Sequence, residues 1–170
     1  MKFITSLVLA AALAGPAVAA PSAEARLKAV EDRQAIEQLV GGDYVRALDG
    51  RNWEAYAANF TQDGQLAVFG TTMNGRADIL KYFTTPGKVP PPSDPQHRIL
   101  HIISNLSYRI EGDQASGGAY WQDVGVAANG VPGVLSAGHY EDELRMEGGR
   151  WKFSKRTIVT DVQTIAPAAK

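Results

Sequence analysis

From Arg98 to Val162, apolar and polar residues alternate through four long segments: Arg98 to Ile110, Gln114 to Ala127, Val134 to Met146, and Trp151 to Val162. Only the turn signals EGD, NGVPG and EGG separate them. This spacing predicts four consecutive strands in an antiparallel meander. Such a sheet carries one apolar face and needs a cover. Gly117-Gly118 and Gly138 fall inside the segments, where residues without a side chain permit strong bending. The chain before Arg98 has the opposite character and supplies the cover.

Ala23 to Leu48 predicts a helix, with Leu27, Val30, Ile36, Leu39, Val40, Tyr44, Ala47 and Leu48 recurring at three- and four-residue steps. Asp49-Gly50 ends it. Asn52 is placed to cap a second helix, Trp53 to Phe60, and Asp63-Gly64 marks a turn before a strand from Gln65 to Phe69. Asn74-Gly75 opens a third helix, Arg76 to Phe83. The stretch TTPGKVPPPSDPQ that follows excludes helix and central strand and reads as a surface loop or a lid over a pocket mouth. The fold class expected is α+β, a cone-shaped curved mixed or antiparallel sheet wrapped over three N-terminal helices. Its centre would be an apolar hollow.

Lys2, the apolar run Phe3 to Ala14 and the small residues Ala17-Val18-Ala19 read as a secretory signal peptide over residues 1–20, leaving 21–170 as one domain. The apolar run is too short to span a bilayer as a stable helix. The expected location is therefore periplasmic or extracellular. The sequence contains no cysteine, so neither disulfides nor lipid attachment through one enters the account. A formal net charge of −1 without a basic run lacks the footprint of a nucleic-acid binder, and no second apolar segment suggests a membrane span.

One histidine stands in the strand RILHIISN. Alternation puts Ile99, His101, Ile103 and Asn105 on one side, so His101 sits between two isoleucines. A titratable ring there is either a core residue with a satisfied hydrogen bond or a working acid/base in an apolar pocket. His97 and His101 have helical metal-ligand spacing, but on a strand they lie about 13 Å apart, too far to share an ion. Neither a metal nor another cofactor is expected.

The order and spacing of AIEQLVGGDYVRALDGRNWEAYAANFTQDGQL, NGRADI, HIISN, EGDQA, GHYEDEL and GRWKFSKR resemble the SnoaL-like branch of the nuclear transport factor two-like superfamily. The resemblance covers nearly all of residues 21–170. Two lyases of that superfamily, scytalone dehydratase and hexachlorocyclohexane dehydrochlorinase, pair an aspartate near the end of the first helix with a strand histidine. By motif these are Asp49 and His101 here. Arg156, in WKFSKR, matches an active-site arginine of the dehydrochlorinase, whereas its active-site lysine is replaced by Tyr44. The resemblance implies a cofactor-independent lyase or isomerase acting on a small apolar, aromatic or alicyclic molecule. It also implies a homo-oligomer, dimer or trimer.

In that reading Asp49 orients His101, His101 takes a proton from carbon, and Arg156, Tyr44 and Tyr140 steady the developing charge. Trp53, Trp121, Ile103, Asn105 and Asp142 complete the candidate pocket wall. A salt bridge between Arg156 and Asp142 is the structural alternative for that pair. A ligand-binding domain without catalysis and an epoxide hydrolase built on Asp49, Arg156 and Asp142 are the competing functions. A straight helix, at about 100° per residue, aims Asp49 away from the stripe of Ile36, Val40, Tyr44 and Ala47. Gly41-Gly42 therefore predicts a one-residue π-bulge that turns it back, although two glycines also fit a plain kink.

Overall fold

The computed structural model describes residues 20–89, 99–127 and 130–163. The expected signal peptide up to residue 19, most of the proline-rich stretch, His97 and Arg98 lie outside the described residues. Ser22 accepts the Ala25 N–H at 3.1 Å and starts α1, Ala23–Glu37. The helix then widens into a π-helical turn, Gln38–Asp43, and resumes as α2, Tyr44–Asp49. Asn52 caps α3, Trp53–Ala58, by accepting the Ala55 N–H at 3.0 Å.

Strands β1 (Phe60–Val68) and β2 (Thr71–Asn74) and helix α4 (Arg76–Thr84) follow. The four long strands are β3 (Leu100–Glu111), β4 (Gln114–Val126), β5 (Pro132–Glu147) and β6 (Arg150–Gln163). They form one curved, unclosed sheet in the order β2-β1-β6-β5-β4-β3. All neighbours are antiparallel except β1 and β6, which run parallel. The sheet is therefore mixed, and β3 is an edge.

Three local expectations change. β1 starts at Phe60, not Gln65, because Phe60 is fully enclosed opposite Phe153 and tied to the Arg76 guanidinium, whose Nη2 donates to its carbonyl at 2.6 Å. Asp63-Gly64 is consequently an irregularity within the strand, where the β1–β6 register slips between Phe60 and Gln65. Phe69-Gly70, both at positive φ (50° and 71°), make a tight two-residue hairpin into β2, a strand not expected from the sequence. Leu27 and Val30, expected on the buried stripe of α1, are exposed.

The remaining helical stripe behaves as expected. Ile36, Val40, Tyr44 and Ala47 are buried with Leu66, Leu144 and Phe153. Gly138 lets the sheet bend under this layer: a Cβ there would lie 1.9 Å from the Val159 carbonyl oxygen and 2.8 Å from the Trp121 ring.

Glu147, at the end of β5, ties the β5–β6 turn to α4 and β1. Its carboxylate accepts the Gln62 N–H at 3.0 Å, Lys152 Nζ at 3.0 Å and Arg76 Nη2 at 2.8 Å. These donors, the Gln62 N–H foremost, hold its pKa at about 2, well below the ordinary 4.5. A depressed carboxylate stabilises the fold in full above its unfolded value and loses that contribution as pH falls through its folded value. In urea unfolding, Glu147→Gln is expected to destabilise the protein at neutral pH. The gap to wild type should narrow steadily as pH drops from 4.5 toward about 2.

Candidate functional site

The π-helical turn accommodates one extra residue, and at the end of α2 it delivers Asp49 to the edge strand. A carboxylate in the last turn of a helix opposes the helix dipole, so this position is unfavourable unless a partner compensates. His101 supplies it twice over. Asp49 Oδ1 stands 2.7 Å from the ring Nδ1 and accepts the His101 backbone N–H at 3.2 Å. That N–H is available because β3 has no further strand beyond it. One carboxylate oxygen thus seals the sheet edge and orients the ring.

The other ring nitrogen faces a residue that sequence reasoning missed. Asp123, directly opposite His101 in the β3–β4 register, places Oδ1 3.2 Å from Nε2. Its Oδ2 accepts the Ser136 hydroxyl from β5 at 2.7 Å. Oδ1 is buried and lacks an aligned hydrogen bond, the ring lying off the line such a bond requires. The signal was present in the strand: Asp123 has the inward parity of Ala119 and Trp121, so a charge falls on an otherwise apolar face. The side chains of Asp49, His101 and Asp123 keep 16, 20 and 22 % of their surface exposed, so the group lies at a rim reachable from solvent.

A second polar cluster occupies the interior. Arg156 on β6 grips Asp142 on β5 through Nε and Nη2 at 2.8 and 2.7 Å, and both side chains are fully enclosed. Tyr108 donates to Asp142 Oδ2 at 2.6 Å. The guanidinium carbon lies 4.2, 3.8 and 3.9 Å from the ring centres of Tyr44, Tyr140 and Phe153. Burial alone would lower the arginine's pKa, but the Asp142 carboxylate outweighs it and holds the value well above the ordinary one. Burial likewise pushes the Tyr108 and Tyr140 hydroxyls upward. Arg156 Nη1 has no hydrogen-bond partner.

The other candidates divide. Trp121, opposite Ile103 in register, stacks on Tyr140 with centroids 6.3 Å apart and links the rim to the arginine cluster. Tyr44 is fully buried with its hydroxyl 2.9 Å from that of Tyr56. Trp53 instead stacks on Phe83 of α4 at 4.9 Å. Asn105 departs from the expected inner face: the β3–β4 register slips between Ser104 and Ser107, Asn105 takes a φ of 52°, and its side chain is exposed. Ile99 is also exposed, so Ile103 alone of the two isoleucines flanks His101 on the inside.

The expected open hollow is occupied by side chains. Tyr44, Tyr140 and Phe153 close around Arg156, and Tyr56 and Phe60 pack against those rings. A cleft of about 860 Å³ lies elsewhere, bordered by Asp32, Leu39, Arg46, Asn52, Met146 and Trp151. Asp49 pairs with His101 and not with Arg156, so the two carboxylates of the epoxide-hydrolase arrangement do not bracket the arginine.

Residues 28–157 match the SnoaL-like domain, and the chain belongs to that family, within the nuclear transport factor two-like superfamily. No curated protein matches the sequence. A protein of Novosphingobium aromaticivorans with a nuclear transport factor two-like, cystatin-like fold superposes with a TM-score of 0.71 at 24 % identity, covering 81 % of this chain and 87 % of its own. A second protein from that organism, assigned by name alone as a scytalone dehydratase, gives 0.66 at 23 % identity, covering 82 % and 90 %. LinA gives 0.67 at 24 % identity, covering 85 % and 95 %. These likenesses establish the fold.

The buried ion pair generates a stability expectation. Arg156→Met leaves Asp142 charged and unpaired inside, and should cost about 3–5 kcal/mol in chemical denaturation. Adding Asp142→Asn to that variant should recover more than half of the loss.

Proposed function

We propose that this protein is a cofactor-independent lyase, carrying out β-elimination on a small, largely apolar alicyclic or aromatic molecule. The carrying observation is the 2.7 Å contact between Asp49 Oδ1 and His101 Nδ1 at a rim open to solvent. In this reading Asp49 fixes the ring, and His101 removes a proton from carbon while a leaving group departs from the neighbouring atom. Trp121, Ile103 and Tyr140 form the apolar wall next to it. Arg156 makes no ion pair with Asp49 or His101, so its contribution is to hold Tyr44 and Tyr140 in place. Two structural neighbours bear lyase names, scytalone dehydratase and hexachlorocyclohexane dehydrochlorinase, and they support the choice of chemistry. We further propose export to the periplasm or medium and assembly through the outer sheet face.

A ligand-binding domain without turnover is the second reading, favoured by the cleft of about 860 Å³ that lies away from the Asp49–His101 pair. The two separate in one experiment: purified protein is incubated with a panel of cyclic alcohols and halides bearing an acidic neighbouring C–H, and alkene formation is followed by mass spectrometry. Turnover by wild type should fall about 10²–10⁴-fold in His101→Ala and Asp49→Asn. Binding of panel members without any product, unchanged by either substitution, would establish the binding domain instead.

A further inference from the structure

The most exposed large apolar side chain among the described residues is Phe69, with 85 % of its surface open to solvent. It takes the first position of the two-residue turn between β1 and β2 at a φ of 50°, and Gly70 follows at 71°. Positive φ at both positions suits Asn-Gly, and a bulky side chain is strained there. Phe69 thus costs backbone energy while its ring packs little against its own chain. The hairpin that carries it, Gln65 to Asn74, contains no charged residue. An aromatic tip on an uncharged stem has the chemistry of a side chain that enters an apolar recess on a partner.

The same chain holds such a recess. The cleft of about 860 Å³ is lined by Leu39, Ala47, Met146 and Trp151, with Ala55 and Ala58 of α3 beside them. Charges at its border already have partners: Asp32 pairs with Lys28, Arg46 with Asp43, and Lys152 with Glu147. A guest without charge leaves all three pairs intact. Asn59 borders the cleft, and from the next residue, Phe60, β1 carries the chain about 25 Å to the turn. The tip therefore cannot reach the cleft of its own molecule, whereas that of a second copy is within its range. We propose that Phe69 of one copy inserts into this cleft of another, in a heterologous head-to-tail contact. The contact is separate from the outer sheet face and independent of the lyase reading. A hairpin tip buries less than the roughly 1,200 Å² of a stable interface, so the association is weak and concentration-dependent.

Because the chain has no cysteine, the contact can be trapped with one cysteine in each of two preparations. Thr71→Cys marks the tip and Ala58→Cys the cleft, both at exposed positions. Mixed and oxidised under native conditions, with a mass tag on one, they should form the mixed disulfide well beyond its share in the same mixture in urea. Adding Phe69→Asn to the tip-marked protein should cut that excess at least about tenfold, as for loss of an interface anchor. Adding it to the cleft-marked protein should change nothing, since that copy contributes only the recess. Asn-Gly is the preferred sequence for this turn, so Phe69→Asn should be at least as stable to urea as wild type. A clear loss of stability would mean that the ring serves its own fold, and overturns the proposal. So does a mixed disulfide no more abundant than in urea, a same-variant product in excess, or a yield indifferent to Phe69→Asn in the tip-marked protein.

Discussion

The Arg156–Asp142 pair sets the geometry of everything around it. Moving two charges out of water costs several kcal/mol per ion, and only close geometry with further hydrogen bonds offsets the penalty. Here the offset comes from two short contacts, the Tyr108 hydroxyl and three aromatic faces. Tyr108, Gly117, Asp142 and Arg156 form one row across β3, β4, β5 and β6. Gly117 has no side chain, so Tyr108 reaches across β4 to Asp142. A one-residue slip of any strand would turn a member of the row outward and strand the others. The pair therefore fixes the register of four strands around it, up to the slip between Ser104 and Ser107 in the β3–β4 pairing.

Unfavourable features collect at the other end of those strands. The helix carries two glycines, each costing about 1 kcal/mol relative to alanine, in a π-helical turn at Gln38–Asp43. Asp49 opposes the helix dipole, and Asp123 buries an oxygen without an aligned donor. Each is a local departure from what stabilises a fold. Their convergence on one histidine is the pattern expected where a chain gives up stability for a working site. Polar groups are conventionally satisfied at Glu147 and at Asp32, which accepts from Lys28 and Trp151.

Much of the fold was legible because it is written in short-range patterns. The four long strands, the helical stripe through Ile36, Val40, Tyr44 and Ala47, the Asn52 cap and the π-helical turn follow from alternation, periodicity and glycine placement. Phe60 to Gly64 was not legible, because Asp63-Gly64 carries the local signature of a turn while the parallel pairing with β6 comes from a segment about ninety residues away. Asn105 followed the alternation of its strand on paper, and a bulge created in the pairing with β4 reversed it. Of the site, the Asp49–His101 pair came from family resemblance and was met at hydrogen-bonding distance. Asp123 was overlooked because a single aspartate in a strand has no motif.

By itself, the sequence determined the four long strands, the buried helical stripe and that the chain is α+β. These depend on side-chain period and local backbone preference, which neighbours along the chain settle. Only the tertiary structure decided that β1 joins β6 in parallel, that aromatic rings fill the expected hollow, and that His101 lies between two carboxylates. Those outcomes turn on strand register and on how volumes fit together between distant segments, and no stretch of sequence read alone contains either.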